Sequence, residues 1–150
     1  MNYGIFFGRK AEEVAIDLLG RWLVKSTHGE GIVAKITRIG AYEGGGSAHI
    51  RRGMAYSPGT VFLMPYRKSY IFNIATHRNG NSSCVDIREL RFNGDIIHGC
   101  RAVADFLDIT RDLDEMVFGE ELKIIGHPAD KSKVKRTDGS AKHCLGYFSI

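Results

Sequence analysis

The chain has few cysteines. Cys84, Cys100 and Cys144 are the three in 150 residues. The number is odd and no C-x-x-C occurs, which argues against a disulfide framework. A reducing compartment suits such a chain. Long apolar runs are also missing, so no segment reads as a bilayer span. Met1 to Phe7 lacks the charged-then-apolar layout of an export signal. Gly44-Gly45-Gly46 is not followed by G-K-[ST], which removes a P-loop, and no G-x-G-x-x-G follows a strand. The zinc-deaminase signature H-x-E with P-C-x-x-C is absent too. His98-x-Cys100 and His143-Cys144 offer metal donors, but their spacing fits no common zinc pattern. The expectation is a cytoplasmic protein, or a nuclear one in a eukaryote, with no membrane partner.

What is present describes an ordinary globular chain. It is 43% hydrophobic and 25% charged, enough for one core and one domain. The net charge of +4 permits an acidic partner without requiring one. Residues Arg9 to Leu19 predict an amphipathic helix with Ala11, Val14, Ala15, Leu18 and Leu19 on one face, stopped at Gly20. Strands are predicted over Trp22 to Lys25, Gly31 to Tyr42, Thr60 to Met64 and Tyr70 to Ala75. Asn79-Gly80 marks a turn from which Ser83 to Leu90 pairs back. Gly99 to Leu107 reads as a helix and Asp112 to Phe118 as a shorter one. Glu121 to Ile125 and His143 to Phe148 are late strands. His127 to Lys142, with its basic run Lys131 to Arg136, reads as a solvated loop or a phosphate-contacting arm.

One stretch concentrates chemistry. From Ile36 to Lys68 a strand ends on Tyr42, passes the glycine loop, and reaches His49. Arg51-Arg52 and then Tyr66-Arg67-Lys68 follow. Two flat rings beside clustered cations suit an unstacked base held next to a phosphate backbone. Read singly, Tyr42 is a core tyrosine and His49 a surface histidine. Tyr66 follows Pro65, which argues against a central strand running through it. A ring at an exposed tip between cations could wedge into a duplex. Strand alternation puts Cys84, Asp86 and Arg88 on one face, with Val85 and Ile87 on the other. Asp86 and Arg88 could form a simple surface ion pair. If their face lines a pocket, they could instead hold a water for attack.

With these residues in view, the chain resembles the alkyladenine (3-methyladenine) DNA glycosylase family. The resemblance runs through FFGRKAEEVAIDLLGRWLV, AYEGGGSAH, RRGM, PGTVF, FNIA and CVDIREL, and more weakly through KHCLGYFSI. It implies an α+β fold, a single domain with a curved antiparallel sheet and surrounding helices. It also implies a monomer that acts on damaged purines in double-stranded DNA, without a cofactor, and is nucleoid-associated in a bacterium. Tyr42 and His49 match the base-stacking pair, Tyr66 the intercalating residue, and Asn73 a residue of the pocket wall. Met64 lies near a second stacking tyrosine. Arg88 matches the arginine beside the attacking water. Arg51, Arg52, Met54, Arg67 and Lys68 fall on the DNA-contacting segments. The family's general base is the glutamate of E-A-Y, and here that triplet is Gly40-Ala41-Tyr42. Hydrolysis of the base–sugar bond needs a carboxylate to orient and deprotonate water. Asp86 and Glu43 are the two replacements in reach, with Asp86 preferred because it shares a strand face with Arg88. A lesion or nucleic-acid binder of the same fold that has lost catalysis is the alternative, and Gly40 is its main support.

Overall fold

A computed structural model describes residues 1–27, 29–44, 56–77, 83–139 and 143–150. His49, Arg51, Arg52, Met54 and the Asn79-Gly80 turn lie outside the described residues. Two short helices open the chain, α1 (Tyr3–Phe7) and α2 (Ala11–Leu18). Asn2 caps α1 by accepting a hydrogen bond from Ile5 N–H at 3.1 Å. The apolar spacing in α2 buries Ala11, Val14, Ala15 and Leu18, as its periodicity predicts.

Nine strands form the sheet among the described residues. They are β1 (Trp22–Thr27), β2 (Glu30–Glu43), β3 (Val61–Tyr66), β4 (Ser69–Ala75) and β5 (Ser83–Phe92). β6 (Asp95–His98), β7 (Leu122–Ile125), β8 (Lys135–Thr137) and β9 (Cys144–Ser149) complete it. The order is β3-β4-β5-β2-β1-β7, with β6 on β5, β9 on β2 and β8 on β9. Every pairing is antiparallel. A third helix, α3 (Cys100–Phe106), follows β6. The protein is a single α+β domain with an open antiparallel sheet.

The 14-residue β2 organises the molecule. Its first half pairs with β1, and its second half lies between β5 and β9. Ile36, Ile39 and Ala41 turn to the main core, where they meet Val85, Ile87 and Leu90 of β5 and the apolar side of α2. Two core residues three apart, Ile36 and Ile39, break strict alternation, and so do Ile87 and Leu90. The cause is a pair of bulges. The register runs Ile36↔Leu90, Arg38↔Glu89 and Ile39↔Ile87, which leaves Thr37 and Arg88 each without an opposite number. The extra residue in each strand turns two neighbours away from the main core instead of one. Arg88 and Glu89 both become available to the far face of the sheet.

Several expectations need correction. The helix over Asp112 to Phe118 is only a 3-10 turn, Arg111–Leu113. Glu115 takes a left-handed φ of +68°, and Val117 bridges to Thr60, so the chain is drawn out as an edge contact. β3 continues through Pro65 to Tyr66. Proline is tolerated because β3 is an edge strand and its missing N–H faces no neighbour. The region read as a loop contains β8, whose three residues are all exposed. β6 and α1 were not foreseen, since four and five residues carry too little periodicity to register.

Candidate functional site

One row of opposed residues crosses the centre of the sheet. It runs Phe62 (β3), Asn73 (β4), Asp86 (β5), Gly40 (β2), Tyr147 (β9) and Thr137 (β8). Directly opposed residues project to the same face. Gly40 is therefore a gap in a row of side chains, and the neighbours fill it. A Cβ built on Gly40 would overlap Asp86 Oδ1 and lie 2.9 Å from Tyr42 Oη. Asp86 has entered the volume that a side chain at position 40 would occupy.

Asp86 is 2% exposed, so its partners decide whether it can be charged. Its Oδ1 accepts from Gly40 N–H at 3.1 Å. Its Oδ2 accepts from Tyr42 Oη at 3.1 Å, Arg88 Nη1 at 3.0 Å and the Cys100 thiol at 3.5 Å. Arg88 Nη1 also donates to Tyr42 Oη at 2.9 Å. The guanidinium lies 4.1 Å above the Tyr147 ring, a cation–π contact that fixes its plane. Burial pushes the Asp86 carboxyl above its ordinary range, and Arg88, Tyr42, Cys100 and Gly40 N–H pull against it without cancelling it. Burial and then the Asp86 charge raise the Tyr42 hydroxyl well above its usual value. The same two causes push the Cys100 thiol up to about 12, so it acts as a hydrogen-bond donor and not as a nucleophile.

This cluster forms the floor of a cavity of about 690 Å³. Tyr42, Asp86, Arg88 and Asn73 line it from the sheet, and Met64, Tyr66 and Ile71 from the β3–β4 hairpin. His98, Cys100, Arg101 and Asp105 close the other side. Asn73 is 1% exposed, and its amide donates to Phe62 O and Ile71 O, both at 3.3 Å. That tie holds the hairpin against the cavity wall. Tyr66, Arg67 and Lys68 stand exposed at the hairpin tip, where Arg67 takes a φ of +54° and stacks 5.5 Å over the Tyr66 ring. Glu43 is not brought into this cavity. Its half-exposed carboxylate lies 3.8 Å from His77 Nε2, outside the lining.

A second cavity of about 620 Å³ lies beside α2, against Arg9, Asp17, Val134 and Phe148. Arg9 and Asp17 of its lining are already paired with each other at 2.8 Å. It contains no buried titratable cluster comparable to that around Asp86. Sequence reasoning missed Arg101 and Asp105 as lining of the first cavity, and Tyr147 as the ring against Arg88. Tyr147 carried one usable signal, its alternation with Phe148, which faces the main core.

A buried carboxylate, a clamped cation and a phenol at the floor of a cavity with room for a base can orient and deprotonate a water. Comparisons with known proteins identify the family. The family model described as methylpurine-DNA glycosylase matches residues 5–138. Two curated proteins carry the name "Putative 3-methyladenine DNA glycosylase". That of Lactobacillus delbrueckii subsp. bulgaricus is 32% identical over 101 residues, covering 60% of this chain and 49% of the relative. That of Streptomyces avermitilis is 33% identical over 104 residues, covering 63% and 47%. The chain spans about half the length of these curated relatives. The matched segment takes in every strand from β1 to β8, the helices α2 and α3 and the end of α1. This chain belongs to the methylpurine-DNA glycosylase family.

Proposed function

We propose that the protein takes a damaged purine, alkylated or deaminated, out of duplex DNA into the cavity under Tyr42 and hydrolyses its N-glycosidic bond. The observation that carries this reading is Asp86 filling the space above Gly40 while paired to Arg88. The resemblance leads one to expect a glutamate at position 40, and a carboxylate is present there, supplied by the neighbouring strand. Oδ2 already accepts three hydrogen bonds, whereas Oδ1 accepts one and has capacity for a water proton. Asp86 would deprotonate that water as the base–sugar bond breaks, and its charge would steady the oxocarbenium-like sugar. Arg88, held by Tyr147, keeps the carboxylate oriented. Tyr42 in the cavity wall and His49 would stack on the base. Arg51, Arg52, Met54, Arg67 and Lys68 would meet the backbone.

Single-turnover release of 3-methyladenine or hypoxanthine from a labelled duplex tests the proposal, with release and an abasic product expected. Lesion-selective binding with no release would establish the rival, a binder that has lost catalysis, which Gly40 favours.

Two outcomes follow from the geometry. Asp86 acts as a base only when ionised, and burial raises its pKa. Base release is therefore expected to climb with pH along a limb that lies above the ordinary aspartate value of ~4. Replacing Arg88 with methionine removes the main opposing charge and moves that limb further up. Rate–pH profiles of the two proteins measure both. The second outcome concerns the hairpin tip. Tyr66 is 40% exposed beside Arg67, placed to fill the gap a flipped base leaves. Tyr66→Ala is expected to weaken binding to a lesion duplex by ~1–3 kcal/mol, and to an undamaged duplex by less. Equal losses in a paired titration would count against the wedge.

A further inference from the structure

A second proton-handling group sits at the mouth of the same cavity. β6 ends at His98, opposite Glu89 in the β5–β6 register. His98 Nδ1 meets Glu89 Oε1 at 2.9 Å. The other carboxylate oxygen, Oε2, accepts from Thr37 Oγ1 at 2.7 Å, and Thr37 is 2% exposed. The two bulges make this arrangement possible, because Thr37 is the unpaired residue of β2 and Glu89 follows the unpaired residue of β5. Burial pulls the Glu89 carboxyl upward, yet the hydrogen bonds from Thr37 and His98 hold it below the usual range. The carboxylate is thus ionised, anchored on one side and joined to an imidazole on the other.

Anchoring Nδ1 leaves Nε2 as the free ring nitrogen, and among the described residues nothing pairs with it. His98 lines the cavity that holds Asp86. Gly99, at φ +103°, turns the chain so that Cys100, two residues on, touches Asp86. Two residues of chain reach at most ~7 Å, and His98, Cys100 and Asp86 all line the one cavity. The charged and titratable groups around His98 are Glu89 and Arg91 on β5, Arg101 and Asp105 on α3, and Asp86 and Arg88 deeper in the cavity. The side chain is 65% exposed, so solvent can return a proton to it.

The geometry points to His98 as the general acid of the reaction, acting on neutral purines and positioned by Glu89 and Thr37. This rests on the hydrolytic reading of the site. Nε2–H passes its proton to a ring nitrogen of the departing base as the C1′–N9 bond breaks, and the bonding pair goes to the base. A water oxygen bonds C1′ and gives its proton to Asp86. Both residues then exchange protons with solvent. A purine already alkylated on its ring carries the positive charge that protonation would supply, and it leaves without this help.

His98→Gln and Glu89→Gln are to be compared with wild type on duplexes containing hypoxanthine or 3-methyladenine. For His98→Gln, hypoxanthine release is expected to fall about 100-fold while methyladenine release stays within about threefold. Glu89→Gln should show the same selectivity, to a smaller extent. Equal losses on both bases, or a uniform loss of DNA binding, overturn the acid role in favour of a structural or phosphate contact. Wild type that releases methyladenine and not hypoxanthine overturns it as well. A wild type that releases neither base defeats the hydrolytic reading itself, a different result from the failure of His98.

Discussion

Asp86→Asn is expected to lower single-turnover base release by ~10²–10⁴-fold, the usual worth of a positioned general base. Lesion-duplex affinity should stay near that of wild type. The asparagine has the size of the aspartate, so the cavity keeps its shape. It can turn its oxygen toward the Tyr42, Arg88 and Cys100 donors that now meet Oδ2. The amide nitrogen would then face Gly40 N–H, a lost hydrogen bond costing ~1–3 kcal/mol. Against that stands the removal of a buried charge that the fold disfavours. The sign follows from the raised pKa. A carboxyl that binds its proton more tightly folded than unfolded contributes stability below the unfolded pKa, and that contribution is lost as pH rises through the folded value. Wherever Asp86 is ionised its charge therefore strains the fold, and the asparagine imitates the neutral form. Denaturant midpoints measured beside the rates separate lost chemistry from lost structure. An Asp86→Asn protein with wild-type rates would sink Asp86 as the base. Glu43→Gln is the control, and because Glu43 lies outside the cavity its rate should not change.

How far the site could be read from the sequence depends on strand pairing. Alternation along β5 placed Asp86 and Arg88 on one face correctly, because their side chains are set by a local period of two. The helix faces of α2 and the burial of Val85 and Ile87 were legible for the same reason. Register across strands is not local. Nothing in the order of residues says that Gly40 lies opposite Asp86, or that Tyr147 arrives on the other side of Gly40. The bulges at Thr37 and Arg88 were hidden too, although the spacing of Ile36 with Ile39 and Ile87 with Leu90 records them in hindsight. Glu43 is near Gly40 in sequence yet sits by His77, because the end of β2 carries its side chain past the cavity. His98 and Cys100 drew attention as possible metal donors. Their roles in the fold are a carboxylate-held imidazole and a thiol donor to Asp86, neither visible from an H-x-C spacing.

Gly40 and Asp86 are expected to behave as one unit. The intuitive repair, Gly40→Glu alone, should fail. Its Cβ would overlap Asp86 Oδ1, and Tyr42 Oη is 2.9 Å away. The obstacle is a carboxylate with four donors and no room to retreat. Overpacking of this kind costs ~1–3 kcal/mol, and a second buried negative charge beside Asp86 adds to it. Gly40→Ala isolates the steric part and should destabilise by a similar ~1–3 kcal/mol. Asp86→Ala removes the obstacle and also the base. In the double variant Gly40→Glu/Asp86→Ala the new side chain enters the vacated space and meets the same donors, Tyr42 and Arg88, from the other strand. Stability should recover beyond the sum of the single changes, with a coupling of at least ~1 kcal/mol. Base release should exceed that of either single variant, since the carboxylate has changed strands while its place has not. Chemical denaturation of the four proteins in the cycle, with single-turnover rates on the same samples, measures both quantities. Additive stabilities would show that Asp86 does not occupy the place of a side chain at position 40, and that Gly40 is glycine for some other reason.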